Sequence, residues 1–425
     1  MSTEQLYNIY LQHPSIQTDT RKLQPGDIFF ALKGPTFNGN EFAQHALKMG
    51  AAYAVVDEPI DASNDHLILV EDVLAALQQL AKYHREQFTI PFIGITGSNG
   101  KTTTKELVSA VLSAHFTTYT TQGNLNNHIG IPITILRVKA DAQMAVIEMG
   151  ANHQKEIEGY CLYAQPTHGI ITNAGKAHLE GFGGVEGVKK GKGELYAYLR
   201  EHNGMVFAYD DYDYLHDMVK GITKVEWYGT ANGTVTGHVV ASEPFLTIAF
   251  TKGTSFSRLQ TQLVGEYNLP NILCAVNVGK FFGVPDEKIK AAIESYAPSN
   301  SRSQLIEKNG NKIILDAYNA NPSSMKAAIE NFAKIDVPKK ILLLGGMMEL
   351  GEESKLEHTN LVKLIKSYPW QGVVLVGGDF KYVPHPYLYF DTSAEAGKWL
   401  KEQNFADTYL LVKGSRSMQM EKVLE

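Results

Sequence analysis

Gly94-Ile-Thr-Gly-Ser-Asn-Gly-Lys-Thr-Thr103 falls within and after an apolar run that opens at Phe92, and it precedes a stretch placing Leu107, Val108, Val111 and Leu112 on one helical face. A strand, a glycine-rich turn and a helix are predicted in that order. Gly97 and Gly100 let backbone amides turn inward around phosphate oxygens, and the amino terminus of the helix adds positive potential. Lys101 can reach the β and γ phosphates of a nucleotide, and the Thr102 hydroxyl can hold Mg²⁺. Gly97, Ser98, Asn99, Gly100, Lys101, Thr102 and Thr103 are therefore a candidate triphosphate loop. The strict motif would place a glycine where Ile95 stands, so the loop is a shortened variant.

Outward from the loop, apolar segments alternate with helical ones. Met144-Ala-Val-Ile147 and Gly169-Ile-Ile-Thr172 read as buried strands, and the alternation implies a mostly parallel sheet. Thr89-Ile90-Pro91 reads as a linker, because proline holds the residue before it extended. Ahead of it, Asp27-Ile-Phe-Phe-Ala-Leu32 and Ala52-Tyr-Ala-Val-Val56 read as strands, and a helix ends near Gln87. Further on, Met205-Val-Phe-Ala208 and Phe245-Leu-Thr-Ile-Ala-Phe250 mark a strand-rich stretch that belongs with the central segment, and helix returns at Leu269. Ala297-Pro-Ser-Asn-Ser301 suggests a second boundary. Beyond it four apolar strands, Lys312-Ile-Ile-Leu315, Ile341-Leu-Leu-Leu344, Val373-Val-Leu-Val376 and Tyr409-Leu-Leu-Val412, are separated by helical stretches. The expected organisation is α/β with three domains: a small α/β domain at 1–88, a central P-loop NTPase-like parallel-sheet domain at 89–298 and a C-terminal Rossmann-like domain at 299–425.

The net charge of -6 is spread without long like-charge blocks, which argues against nucleic acid or an anionic membrane as partner. Cys161 and Cys274 are the only cysteines and lie far apart. They fit a reducing compartment, give no disulfide framework or thiolate metal site, and are expected to be buried packing residues. MSTEQLYNIY lacks a cationic start followed by an apolar core, and no apolar run approaches the ~20 residues that span a bilayer. A soluble, cytoplasmic chain is expected.

In an open α/β sheet ligands gather at the carboxyl ends of the strands. Glu148 stands at such an end, where a metal carboxylate and a solvated charge fit equally well. His178 follows the next strand in Thr172-Asn-Ala-Gly-Lys-Ala-His178, and taken alone it reads more readily as structural. Lys192 lies in Val188-Lys-Lys-Gly-Lys-Gly-Glu-Leu195, whose spacing by itself favours a solvent-facing basic helix.

Together these strings resemble the Mur ligase family over essentially the whole chain, and within it the branch that adds D-alanyl-D-alanine to a UDP-linked muramoyl tripeptide. Thr18-Asp-Thr-Arg21, Gln24-Pro-Gly-Asp-Ile-Phe-Phe-Ala-Leu-Lys-Gly34 and Phe37-Asn-Gly39 look like the segment that cradles the UDP-sugar, although they also read as a turn, an edge strand and a loop. The resemblance makes Thr20, Arg21, Lys33 and Asn38 candidate substrate contacts. Gly123-Asn-Leu-Asn-Asn-His-Ile-Gly-Ile-Pro132, with Asn126 and Asn127, and Glu148-Met-Gly-Ala-Asn152 look specific to that branch.

By the same resemblance the nucleotide is ATP. Thr102 and Glu148 serve one Mg²⁺, His178 and a carbamylated Lys192 serve a second, and Lys101, Glu148, His178 and Lys192 form the catalytic set. A carbamate is physically reasonable, because adding CO₂ to a neutral amine replaces a cation with an anionic oxygen ligand. Tyr267-Asn-Leu-Pro-Asn271 resembles an adenine-contacting stretch, with Asn271 the amide, while Asn268 before Pro270 also reads as a helix cap. Arg302 and Asp316 look like groups that reach the γ phosphate and ribose. Asp316-Ala-Tyr-Asn-Ala-Asn-Pro322 adds Tyr318, Asn319 and Asn321 as substrate candidates, and Asn321-Pro322 is also a good helix start. In Lys413-Gly-Ser-Arg416, Lys413 and Arg416 could clamp the dipeptide carboxylate or form an exposed basic loop.

Two positions depart from the family pattern: Ala317, where serine is expected, and Gly346, where an acidic residue is expected. The implied reaction is ATP-dependent amide formation through an acyl phosphate, carried out by a monomer acting on small molecules. Alternatives are another ligase of the family adding a single amino acid or folate glutamate, a nucleotide-hydrolysing switch, and a catalytically silent sugar-nucleotide binder.

Overall fold

The computed structural model describes residues 1–60, 64–299 and 301–425, so Asn300 of the expected boundary turn lies outside the described residues. Three large sheets follow one another along the chain, each dominated by parallel pairing, and a two-stranded antiparallel ribbon of Lys33–Gly34 and Phe37–Asn38 belongs to the first unit. The first sets Ile16–Gln17, Ile28–Phe30, Tyr53–Val56 and Leu67–Leu69 side by side, all parallel. Its helix Val73–Arg85 starts on an Asp72 side chain that accepts from Ala75 N, and carries Lys82 and Arg85 in its last turn, where cations suit the negative end of a helix.

The central sheet has nine strands, in the order Arg258–Gln260, Thr247–Lys252, Val235–Ala241, Lys224–Gly229, Met205–Tyr209, His168–Ile171, Phe92–Thr96, Met144–Glu148 and Thr118–Thr120. Only the first two pairings in that order are antiparallel. Phe92–Thr96 and Met144–Glu148 are buried at every position, as expected of parallel strands covered on both faces. Their register sets Ile95 beside Glu148, while Thr96 pairs with Ile171 on the other side. Three strands therefore deliver the phosphate loop, Glu148 and the Thr172–His178 segment to one edge. The helix Lys101–Ser113 buries Leu107, Val108, Val111 and Leu112, the face expected from spacing, and packs against the helix Leu269–Phe281.

The third sheet runs Gln304–Lys308, Asn311–Asp316, Tyr409–Lys413, Lys340–Gly345, Gly372–Val376 and Leu388–Phe390, antiparallel only in its first pair. This is two strands more than the four expected. Gln304–Lys308 joins through a tight turn at Asn309 (φ 53°) and Gly310 (φ 73°), an Asn-Gly hairpin signal. Leu388–Phe390 is a short edge strand with an exposed Leu388, so it offers no apolar run to read.

One hydrophobic core runs through all three sheets, from Leu6 to Leu411, and smaller clusters cover the opposite faces of the first and third. The first unit is also pinned to the central one by buried polar groups. Arg85 donates to the carbonyls of Ala164 (3.1 Å) and Gln165 (2.9 Å) and lies over the Phe92 ring, and His84 Nε2 meets Val138 O at 2.7 Å. Among the described residues no helix is long and apolar enough to cross a membrane.

Candidate active site

The phosphate loop owes its shape to two glycines. Gly97 has φ 144°, and a Cβ there would lie 2.0 Å from Thr172 Oγ1. Gly100 has φ 79°, with a Cβ position 2.8 Å from Asn271 Oδ1. Only glycine fits both backbone and space. The segment after the strand His168–Ile171 holds the loop from behind. Asn173 O accepts from Ser98 N (2.9 Å), Asn173 Oδ1 from Asn99 N (3.0 Å), Gly175 O from Ser98 Oγ (2.9 Å), and Thr172 Oγ1 donates to Asn99 O (2.6 Å). The amides of Ser98 and Asn99 are thereby used. The helix that follows has no side-chain cap and its backbone ladder begins at Thr104 N, so the earlier amides at its start are left to face an anion. Lys101 folds back, donating Nζ to Gly97 O (2.8 Å) and Ser98 O (3.3 Å). Burial lowers its pKa, Glu148 opposes the shift and Arg302 adds to it.

Glu148 is 1% exposed. Its Oε1 accepts from Thr102 Oγ1 (3.1 Å) and Asn126 Nδ2 (2.8 Å), while the buried Oε2 has no hydrogen-bond partner. A buried carboxylate oxygen left open beside a hydroxyl is a donor set suited to a hard cation. His178 takes left-handed backbone (φ 51°) at the start of the helix Leu179–Phe182, with Nδ1 2.5 Å from Glu349 Oε2 of the third sheet's unit.

Lys192 is not on a solvent-facing stripe. In the helix Val185–Glu201 it is fully buried on the same face as Val188, Leu195, Tyr196 and Leu199, whereas Lys190 is exposed. Its Nζ donates to Ala151 O (2.9 Å) and stands 4.8 Å from the Phe182 ring centre. Burial first, then the charge of Lys101, drives its pKa well below the usual lysine range against the pull of Glu156 and Glu194. The signal was present in the spacing, because Lys192 stands four residues after Val188 and three before Leu195. Among the described residues no three His, Cys, Asp or Glu side chains cluster to hold a metal, so a cation here would draw on this mixed set.

The loop from Ser98 onward, Glu148 and His178 face a cavity of about 990 Å³ between the central and third units. Ser98, Asn99, Gly100, Lys101, Thr102, Thr103, Asn126, Asn127, Glu148, His178 and Asn271 line one side, and Arg302, Asp316, Tyr318, Asn319, Asn321 and Lys413 the other. Asn321 Nδ2 donates across the gap to Asn99 Oδ1 (2.7 Å), while its own Oδ1 caps the helix Pro322–Lys334. Asn271 Oδ1 accepts from Thr104 Oγ1, and its Nδ2 donates to Asn268 Oδ1. Asn268 makes no side-chain cap, which corrects that expectation. The Arg302 guanidinium lies over the Tyr318 ring at 3.5 Å.

Lys413 is 2% exposed and pairs with Asp316 Oδ2 at 2.5 Å, with the carbonyl of Asn319 at 3.3 Å, so it is neither exposed nor free. Arg416 points away to Glu421 (2.7 Å). Thr20, Arg21, Lys33 and Asn38 are not on this wall either. Arg21 pairs with Asp19, Lys33 with Asp57 and Glu58, Asn38 with Glu58, and Thr20 opens the short turn Thr20–Lys22. Gly97 and Lys192 lie behind the lining. Thr172, Asn173 and Glu349 were missed; the first two follow a strand end as Glu148 does, and nothing local marks the third. Both departures have a packing reason. Ala317 is fully buried in an apolar cluster, and a Cβ at Gly346 would lie 2.7 Å from Gly378 Cα.

Family models match in three blocks: Mur ligase family, catalytic domain, at residues 14–85; Mur ligase middle domain at 95–279; and Mur ligase, glutamate ligase domain, at 301–416. The UDP-N-acetylmuramoyl-tripeptide--D-alanyl-D-alanine ligase of Bacillus subtilis (strain 168) is 33% identical over 425 residues, covering 96% of this chain and 92% of the relative. Among solved structures, MurF from Acinetobacter baumannii superposes with a TM-score of 0.89 at 31% identity, covering 100% of this chain and 97% of that one. MurF ligase from Thermotoga maritima in complex with ADP gives 0.87 at 27% identity, with 97% of each chain covered.

Proposed function

The chain belongs to the Mur ligase family, and from that premise we propose that it joins D-alanyl-D-alanine to UDP-N-acetylmuramoyl-tripeptide, using ATP and passing through an acyl phosphate. The observation that carries the reading is the facing of two walls across one cavity. A phosphate loop with Glu148 stands on one side, and Arg302, Asp316 and Tyr318 stand on the other. The relative bound to ADP supports ATP as the nucleotide.

The terminal carboxylate of the tripeptide attacks the γ phosphorus in line, the bond to the bridging oxygen breaks and ADP leaves. The uncharged amine of the dipeptide then attacks the acyl carbon, its C–O bond to phosphate breaks, and phosphate and a proton are released. Lys101 exchanges the carbonyls of Gly97 and Ser98 for phosphate oxygens, and the helix-start amides beyond Gly100 hold the anion in place. Arg302, resting on Tyr318, supplies the opposing charge.

In this reading Thr102 and Glu148 would hold one Mg²⁺ and His178 with a carbamylated Lys192 a second, and such ions would supply positive charge to offset that of the phosphates. The open Oε2 of Glu148 and the low-pKa amine of Lys192 suit these roles. The domain division at 88/89 and 298/299, a cytoplasmic setting and a monomeric state belong to the same proposal.

The test is purified protein with ATP, Mg²⁺, D-alanyl-D-alanine and UDP-muramoyl-tripeptides carrying diaminopimelate or lysine, read by phosphate release and product mass. Equal use of single amino acids, or ATP hydrolysis without either acceptor, would refute it.

A further inference from the structure

The loop after the strand Lys340–Gly345 brings Glu349 across the domain interface to His178. Both residues hold left-handed backbone, Glu349 at φ 62° and His178 at φ 51°. Such backbone is unfavourable for side-chain-bearing residues and persists only where the surroundings over-determine it. Here they do. Gly346 N donates to Val376 O (2.9 Å), Met347 N to the fully buried His358 Nε2 (3.0 Å), and Met348 N to Ser415 Oγ (3.0 Å). Past Glu349, Gly351 packs so tightly on the His178 helix that a Cβ would lie 3.3 Å from Glu180 Cβ. The outcome is one carboxylate oxygen 2.5 Å from His178 Nδ1. The two atoms are in ion-pair contact, although Nδ1 does not meet hydrogen-bond geometry in this arrangement.

An imidazole that gives one ring nitrogen to a cation carries its proton on the other, and the partner of that second nitrogen sets the tautomer and the ring's orientation. We propose that Glu349 is a positioning residue for His178: its carboxylate accepts a hydrogen bond from Nδ1–H, which leaves the Nε2 lone pair free for a cation. Because Glu349 and His178 sit on different domains, His178 is oriented only when the domains are docked. An open molecule therefore lacks a complete site and does not spend ATP on water. This rests on the reading of His178 as a cation ligand.

The test uses the full chain, Mn²⁺ as probe ion, a non-hydrolysable ATP analogue and the UDP-tripeptide. Four variants are compared: Glu349→Ala, Glu349→Gln, His178→Gln and Lys176→Met. The last breaks the Lys176–Glu357 pair (2.6 Å) at the same interface without touching His178. Glu349→Ala is expected to weaken the second Mn²⁺ and lower kcat by about 10- to 100-fold, leaving KM for ATP and tripeptide within about twofold. Glu349→Gln, which still offers an acceptor, should recover most of the loss. With diamagnetic Mg²⁺ in place of Mn²⁺, the ring ¹⁵N resonances of His178, identified by their disappearance in His178→Gln, should show the Nδ1-protonated tautomer in the parent and a mixture in Glu349→Ala. If Glu349→Ala leaves the second ion and the tautomer unchanged while His178→Gln abolishes that ion, the positioning role is wrong and the cation reading stands. If His178→Gln keeps both ions, the cation reading fails and takes the proposal with it. A Lys176→Met loss equal to that of Glu349→Ala would reduce Glu349 to a docking contact.

Discussion

Replacing Lys192 with methionine should abolish synthesis yet make the central domain more stable near neutral pH, and the margin should shrink as pH rises. The folded amine has one protein acceptor, Ala151 O, and no water-facing surface. Burial and the neighbouring Lys101 place its pKa well below the lysine range, whereas in the unfolded chain it titrates near about 10.4. Between those two values the unfolded state binds one proton more than the folded state. Stability therefore rises with pH by about 1.4 kcal/mol per unit, and the rise ends at the unfolded pKa. Each pH unit inside that window is a gain that Lys192→Met lacks. The chain supplies its own probe, since Cys161 and Cys274 are its only cysteines and both are buried in the central unit. Thiol labelling against urea, from pH 7 to 10 in CO₂-free buffer, reports opening of that unit, and the ratio of variant to parent at each pH cancels intrinsic thiol reactivity. Added bicarbonate should then stabilise the parent and not the variant. A ratio that stays flat with pH would mean that folded Lys192 keeps its proton, and its nitrogen could not take up CO₂.

Gly97→Ala places a methyl 2.0 Å from Thr172 Oγ1 at φ 144°, so the Thr172–Asn99 bond must break; ADP affinity by calorimetry should fall at least about 10-fold, and unchanged affinity would refute the loop's role. Glu148→Gln keeps the shape but removes the anion, so kcat should drop about 100-fold, or about 3 kcal/mol, and Mn²⁺ binding should weaken while melting temperature holds; loss of activity with normal Mn²⁺ binding would contradict the cation assignment. Lys413→Met strands the Asp316 carboxylate and should cost the C-terminal unit about 3 kcal/mol of stability in urea unfolding, with Asp316→Asn in the same chain recovering part of it. A raised KM for the dipeptide with unchanged stability would instead restore Lys413 as a substrate clamp.

Read locally, the chain already contained the phosphate loop, because strand, turn and helix are neighbours whose periodicity and glycines declare themselves within Phe92–Ser113. The α/β class followed from the same alternation, since a buried parallel strand needs an uninterrupted apolar run such as Met144–Ile147. Edge strands escaped: Thr118–Thr120 and Leu388–Phe390 are short and half wet, so nothing in their composition separates them from loops. Lys192 could be counted onto the apolar stripe of its helix, but that its amine loses all water depended on Phe182 and Ala151 closing over it. The pairs Asn321–Asn99, Lys413–Asp316 and Glu349–His178 had no local trace at all. Each joins residues brought together by sheet order or by domain docking, and a side chain's availability is decided by the partner it meets there. Residue identity and spacing therefore determined which groups are able to do the chemistry, and the packing of one sheet against another decided which of them are free to do it.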